Sequence, residues 1–373
     1  MTLMTKIRKF CREQPVLLIS FLAAVITMLF IPPDREYLSY CNRTVLIQLF
    51  CLMLSVSGLR SVGLFESATS FLLTHTGNIR RLGLVFVLVC FFSSMLVTND
   101  VALITFVPLT LLVYSHISDE KSRILTIVLE TAAANLGSML TPFGNPQNLY
   151  IYNIYGLSAM DFFRTMLPSG IVSLVCLVLL CMLLPKTPCT ADTIEKQSVS
   201  GRRCAVYLGM FVLCLLTVFR IVPDWLCLSA AAVITIAADY KLFLKVDYAL
   251  LATFVCFFVF VGNISRTESV GTFFSDIIDG RELIVSALLS QIISNVPAAV
   301  MLSGFTGNAQ SLLLGVNLGG LGTIIASLAS LISFQFYRKT DNSKTGKYLL
   351  VFSAVNFGML FILMIFTGIM SYI

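Results

Sequence analysis

The chain has 373 residues, of which 57% are hydrophobic and only 12% charged, with a formal net charge of +6. Apolar runs of more than 15 residues recur from end to end, so lipid rather than water is the solvent for most side chains. The composition excludes a soluble domain. It also excludes a nucleic-acid-binding face, because the 25 lysines and arginines are scattered over short connectors.

Taken in order, Lys6, Arg8, Lys9 and Arg12 precede an apolar run whose sequel, PPDREY, offers no small-residue cleavage site. Residues 15–31 therefore read as a retained span, with the N-terminus cytoplasmic, and span 44–58 returns to Arg60, Arg80 and Arg81. Apolar arms 82–97 and 101–115 rise and come back to Lys121 and Arg123. Segment 122–153, interrupted by GSMLTPFGNPQN, exits; GLSAMDFFRTMLP lies on the outer surface, and 168–184 returns. The longest polar connector, 185–203, carries Lys186, Lys196, Arg202 and Arg203 and reads as a cytoplasmic linker between two halves. Beyond it, spans 204–221, 225–238 and 247–262 alternate past Lys241 and Lys245. Arms 283–293 and 297–305 dip in from outside, and 310–336 returns to Arg338, Lys339, Lys344 and Lys347. A last span, 347–371, leaves the C-terminus outside.

Crossing the hydrocarbon takes about 20 helical residues. The arms of 82–115 and 283–305 are shorter, which favours two re-entrant hairpins, one opening to each side, although two full spans at 82–115 would satisfy the same charge parity. The tips read VTNDVALI and ISNVPAAV, and each hairpin is followed by a related stretch, NLGSMLTPFGNPQN or NLGGLGTIIASLAS. Span 44–58 runs inward and its counterpart 247–262 outward. The expected fold is thus an all-α polytopic membrane protein of about ten transmembrane helices in two inverted-topology repeats, 1–184 and 204–373, each with a re-entrant hairpin and a discontinuous helix.

Unwound backbone at membrane depth must line a cavity or be buried in protein. Breaks are expected at 98–100, 144–148, 294–297 and 315–322, with each hairpin tip facing one unwound loop near the midplane. Pro146 and Pro297 suit the starts of half-helices. Freed carbonyls and the amide oxygens of Asn99, Asn145, Asn295 and Asn317 are hard ligands for Na⁺, and half-helix N-termini favour an anionic substrate. No cofactor beyond a coupling Na⁺ or H⁺ is called for.

Among ionisable residues, Asp100 at a tip is either a functional acid or an N-cap, and Glu130 is a proton carrier or an inward acid satisfied by a neighbouring helix or by Asn135. Glu66, Arg266 and Glu268 read as interfacial anchors, His75 and His116 as solvated boundary residues, and Tyr150, Tyr152 and Tyr155 as markers of the outer interface. GVNLGGLG has no preceding strand and is not a nucleotide loop. Eleven cysteines contain no CxxC pair and read as small hydrophobes, not as a metal or disulfide framework. With two peripheral histidines and no nucleophile–base pair at depth, an intramembrane enzyme is not expected.

TNDVALITFVPLT, GSMLTPFGNPQNLYI and SNVPAAVML resemble the ion transporter superfamily of arsenite permeases, Na⁺/H⁺ antiporters, citrate carriers and divalent anion/sodium symporters. The likeness is nearest to its anion permease, citrate-transporter-like branch and covers essentially the whole chain. It implies a secondary transporter in the cytoplasmic (inner) membrane, bathed in membrane lipid and assembled as a homodimer. Carried over, Thr98, Asn99, Gly144 and Asn145 form one cation site, and Ser294, Asn295, Asn317 and Gly319 the other. Asp100 and Glu130 join the coupling set, and the substrate meets Thr98, Asn99, Asn148, Ser294, Asn295 and Pro297. The divalent anion symporters carry Ser-Asn-Thr at both tips, whereas this chain reads Thr-Asn-Asp and Ser-Asn-Val. Asp100 repels a dicarboxylate unless protonated or cation-bound, and Val296 removes a hydroxyl donor. The expected function is transport of a small anion or oxyacid coupled to Na⁺ or H⁺ by elevator-like alternating access; the alternative is Na⁺/H⁺ antiport or arsenite-type efflux through Asp100.

Overall fold

The computed structural model describes residues 14–65, 67, 76–115, 117, 119–189, 201–340 and 343–370. The basic N-terminal residues, Glu66, His75, His116 and Lys196, for which the sequence raised expectations, lie outside them. Seventeen α-helices occur among the described residues. They are α1 (Pro15–Phe30), α2 (Tyr37–Tyr40), α3 (Arg43–Ser61), α4 (Ile79–Val97), α5 (Asn99–Ser115), α6 (Glu120–Ser138), α7 (Pro146–Ile154) and α8 (Ala159–Cys181). The second set comprises α9 (Gly201–Val218), α10 (Asp224–Asp239), α11 (Tyr248–Ser265), α12 (Glu268–Ile278), α13 (Glu282–Ile293), α14 (Asn295–Ser303), α15 (Ala309–Leu318), α16 (Leu328–Arg338) and α17 (Thr345–Met370). Among the described residues, seven helical segments are long and apolar enough to cross a membrane; α1, α5, α13 and α15 are apolar but shorter.

Both hairpins turn on a single residue. Thr98 between α4 and α5 has φ 78° and ψ 151°, and Ser294 between α13 and α14 has φ 77° and ψ 155°. That region is nearly reserved for glycine and costs about 1–3 kcal/mol for a side-chain-bearing residue, a strain typical of ligand clamps and switches. Asn99, Asp100 and Asn295 therefore belong to the first turns of half-helices, and Pro297 is the third residue of α14, where its missing amide leaves no bond unmade.

Each hairpin packs on a helix that then breaks: α6 stops at Ser138 and resumes as α7, and α15 stops at Leu318 and resumes as α16. Laid in register, the two stretches set Asn135 against Asn317, Thr141 against Thr323, Asn145 against Ser327 and Asn148 against Ser330. The packing obeys that register. Thr141 Oγ1 donates to Met95 O at 2.6 Å and Thr323 Oγ1 to Gln291 O at 2.9 Å, each acceptor standing three residues before its tip. Gly137 and Gly319 meet the same two arm positions: a Cβ on Gly137 would lie 2.0 Å from Phe91 O, and one on Gly319 2.8 Å from Ala287 Cα.

Three elements differ from the sequence reading. The second break lies at 319–327, not 315–322; Gly315 is helical, and is glycine because Ser286 Oγ and Leu283 O stand 1.9 and 2.5 Å from where its Cβ would be. Residues 159–181 form one helix through Pro168 instead of a surface stretch and a separate span. One lost amide donor does not end a helix whose apolar flanks pack on α6 and α17. Helix α12, absent from the sequence reading, fills part of the stretch after α11.

Tyr150 and Tyr152 are buried in the protein and do not mark an interface: the Tyr150 hydroxyl pairs with Ser303 Oγ at 2.7 Å, and its ring packs on Phe258. Arg266 bonds Asp34 at 2.7 Å and Glu36 at 3.3 Å and fastens the loop after α1 to the end of α11. The guanidinium holds the Asp34 carboxyl below its ordinary value of 3.8. Such a group stabilises the fold above its unfolded pKa and loses that contribution as pH falls through the folded one. Thermal melts of an Arg266→Gln variant should fall below wild type at neutral pH and converge with it as pH falls through the folded pKa of Asp34.

Candidate functional site

The backbone strain at Thr98 points the first turn of α5 at the end of α6. Asn99 Nδ2 donates to Asn135 Oδ1 at 2.9 Å, and Asn99 Oδ1 accepts from the amide of Asp100. Asn135 is also a bridge between halves: its Oδ1 accepts from Ser327 Oγ at 2.9 Å, with longer contacts from its Nδ2 to Ser330 Oγ and Gly320 O. The matching asparagine does the same in the opposite sense. Asn317 Oδ1 accepts from Asn145 Nδ2 at 3.0 Å, and Asn317 Nδ2 donates to Asn148 Oδ1 at 2.6 Å. Each broken helix thus ends on an asparagine that holds the restart of the other one. All these side chains are buried, where an unmade bond costs about 1–3 kcal/mol, so the network fixes the relative position of the two halves.

This arrangement regroups the residues expected from the sequence. Asn145 and Asn317, expected at separate tips, also meet each other across the halves. Gly144 lies where a Cβ would stand 2.1 Å from Ser138 O, so its role is close backbone approach at the break. Asn148 Nδ2 donates to the carbonyls of Met139 and Thr141 at 3.2 and 3.0 Å, closing the first loop from the α7 side. Gly319 offers its carbonyl to Gln291, and Ser294 and Asn295 are sealed against Ala326 O, which accepts from Asn295 N at 3.0 Å. Glu130 is fully buried; its Oε1 accepts from Thr110 Oγ1 at 2.6 Å and its Oε2 meets no donor. A neighbouring helix, α5, therefore half-satisfies it, and Asn135 does not.

A cavity of about 630 Å³ reaches the first tip and not the second. Thr98, Asp100 and Asn145 line its floor, Arg60, Lys245 and Asp247 its polar walls, and Leu49, Leu52 and Phe143 its apolar ones. Asp100 is not a cap. It is the second residue of α5, and its buried Oδ1 has no hydrogen-bond donor. The Arg60 guanidinium donates to Ile104 O at 3.3 Å, which holds it over α5. Chemically the cavity offers fixed positive groups and carboxylates within one enclosure, next to a strained turn.

Sequence reasoning passed over Asn135 as a bridging group, together with Gln291, Ser327, Arg60, Lys245 and Asp247. The repeated Asn-Leu-Gly that begins both related stretches was a usable signal for Asn135. None pointed to the wall residues, which come from α3 and from the turn before α11.

The sequence profile of the citrate transporter family (CitMHS) matches residues 4–314. The chain belongs to the citrate transporter family. An uncharacterized transporter of Methanocaldococcus jannaschii is 33% identical over 307 residues, covering 82% of this chain and 84% of that protein. The inner membrane protein YbiR of Escherichia coli is 31% identical over 295 residues, 78% of each chain. The crystal structure of the YdaH transporter of Alcanivorax borkumensis, described as having an unusual topology, matches with a TM-score of 0.62 over 92% of this chain and 88% of its own, at 12% identity, and so shares its fold. This citrate transporter family member is accordingly an integral membrane transporter. The family match holds both hairpin tips and ends just before Asn317, so the loop between α15 and α16 lies beyond it.

Proposed function

We propose that the chain is a secondary active transporter of a small anion or oxyacid, a carboxylate or an inorganic anion, coupled to Na⁺ or H⁺ by an elevator-like alternating-access cycle. The observation that carries this reading is the cavity at the first tip, where Asp100 lacks a donor and Arg60 and Lys245 share the enclosure. Fixed cations draw an anion in, while a bare carboxylate repels it until a cation or proton neutralises the charge. Ion binding and anion binding are then one event.

In this reading residues 1–184 and 204–373, joined by the linker 185–203, are inverted-topology repeats with re-entrant hairpins. The N-terminus is cytoplasmic, the C-terminus outside, and the cavity opens to the cytoplasm, the side to which Arg60 and Lys245 were assigned from charge distribution. Thr98 is already in the cavity; Asn99, Asn148, Ser294, Asn295 and Pro297 reach the substrate once the hairpins move. Asn99, Asp100, Gly144 and Asn145 surround the coupling ion. The relative from E. coli supports an inner-membrane location by its name, and a homodimer follows from the superfamily likeness.

A second reading is favoured by Asp100 and Asp247 lining one cavity: two acids suit cation exchange, Na⁺ for H⁺, or arsenite-type efflux. Purified protein in liposomes separates the two. We expect no Na⁺-driven pH change without an anion, and ion-gradient-driven uptake when citrate, succinate, sulfate or arsenite is supplied in turn. Na⁺-driven acidification or alkalinisation in the absence of any anion would sink the anion-transport reading in favour of exchange.

A further inference from the structure

Three backbone carbonyls converge on one point beside the second hairpin. Ala287 O, Gly319 O and Leu321 O lie 3.1, 2.8 and 2.9 Å from Nε2 of Gln291. The other end of the same carboxamide is also held, since Gln291 Oε1 accepts from Thr323 N at 2.8 Å. The loop is shaped for this side chain: Gly322 adopts φ 103°, and a Cβ there would stand 2.2 Å from Gln291 Oε1. An amide nitrogen has two hydrogens, so three acceptors exceed what it can bond fully. Inward-pointing carbonyls in such a cluster are the arrangement that replaces the hydration shell of a monovalent cation.

The first half meets its loop carbonyls with a different amide, one that does not belong to the hairpin. The position matching Gln291, three residues before the tip, is Met95, which carries no donor. The first loop's carbonyls are met by Asn148 from the far side of the break, its Nδ2 lying 3.4, 3.2 and 3.0 Å from Ser138 O, Met139 O and Thr141 O, and Asp100 Oδ1 is left without a donor on the cavity floor. The second hairpin thus fills its loop carbonyls with its own side chain, whereas the first is joined to its broken helix through Asn99 and Asn135 and carries the donor-free Asp100 oxygen.

We propose that the Gln291 carboxamide permanently occupies a cation-sized carbonyl cage in the loop between α15 and α16, so that ion response is confined to the first hairpin tip. The amide supplies the partial positive charge an ion would bring and cannot dissociate. The second hairpin stays fastened whatever the ion concentration, and each transport cycle carries the ion bound at Asp100 alone. This rests on the proposed role of Asp100 as the ion-responsive group.

Melting temperatures of the full-length, detergent-solubilised protein test it without any substrate, comparing NaCl and KCl with choline chloride at equal ionic strength. Asp100→Asn alone is expected to melt at the same temperature in all three salts. Adding Gln291→Ala lowers the baseline and opens the cage, so Na⁺ or K⁺ should raise the melting temperature in a saturable way. Gln291→Glu, which keeps the size and sets a carboxylate among the three carbonyls, should depend on the cation still more strongly and serves if the alanine variant does not fold. A saturable cation shift in Asp100→Asn with Gln291 intact overturns the proposal, as does its absence from folded Gln291 variants. Because these melts involve no transport, a failure of the anion-transport reading shows separately, in the liposome assay.

Discussion

Asp100→Asn is expected to reduce ion-coupled transport more than about tenfold, or to strip it of pH dependence, while the protein still inserts and melts at or slightly above the wild-type temperature. The stability half of this expectation comes from the hydrogen bonds. Asp100 Oδ1 has no donor to lose, and its backbone amide, bonded to Asn99 Oδ1, is unchanged by the substitution. Removing an uncompensated buried charge is neutral or stabilising. The activity half comes from the cavity: Asparagine keeps the shape but no longer takes up a proton or balances a cation beside Arg60 and Lys245. Uptake measured against external pH in liposomes, alongside a thermal melt, reads both. Wild-type pH dependence in the variant would leave Asp100 a structural residue of the α5 first turn.

A comparably large effect, on stability, is expected at the contact between hairpin and broken helix. A Cβ at Gly137 would stand 2.0 Å from Phe91 O and 2.5 Å from Ser94 Oγ, so α4 must move bodily to admit it. Gly137→Val should therefore destabilise by at least the 1–3 kcal/mol usual for overpacking. Gly319→Ala, whose nearest contacts are 2.7–2.8 Å, should be milder. In α9, Gly209 has nothing within 4 Å of its would-be Cβ, and Gly209→Ala should be neutral or stabilising by about 0.4–1 kcal/mol. Chemical or thermal denaturation in detergent gives the order. If Gly137→Val proved as tolerant as Gly209→Ala, α4 and α6 would not be packed as closely as described.

Much of the architecture was legible in the residues because lipid imposes it. Hydropathy and length alone located the arms of both hairpins within a few residues, from Ile79–Val97 through Asn295–Ser303, and polar residues in apolar runs marked the tips. The break after α15 was read four residues early because glycine has two uses: Gly315 permits helix–helix contact, and only Gly322, with its positive φ, serves the unwound loop. Pro168 misled in a similar way, since a proline ends a helix only where nothing else holds it.

The site was less legible. Asn145, grouped with the first tip, lines the cavity there and also meets Asn317 at 3.0 Å, while Asn99 meets Asn135. Hydropathy records whether a side chain is buried and carries no information on which of several buried amides, 172 positions apart in sequence for Asn145 and Asn317, will face one another. That choice belongs to the packing of α6, α7, α15 and α16, which also brings Arg60, Lys245 and Asp247 to the cavity of Asp100. The sequence by itself determined a membrane-embedded helical chain with polar breaks at two hairpin tips, because a solvent without hydrogen bonds leaves the backbone few alternatives. Only the tertiary structure decided which polar groups satisfy each other and that Asp100 Oδ1 stays without a donor on the cavity floor, because hydrogen-bond partners are set by distances that local sequence does not encode.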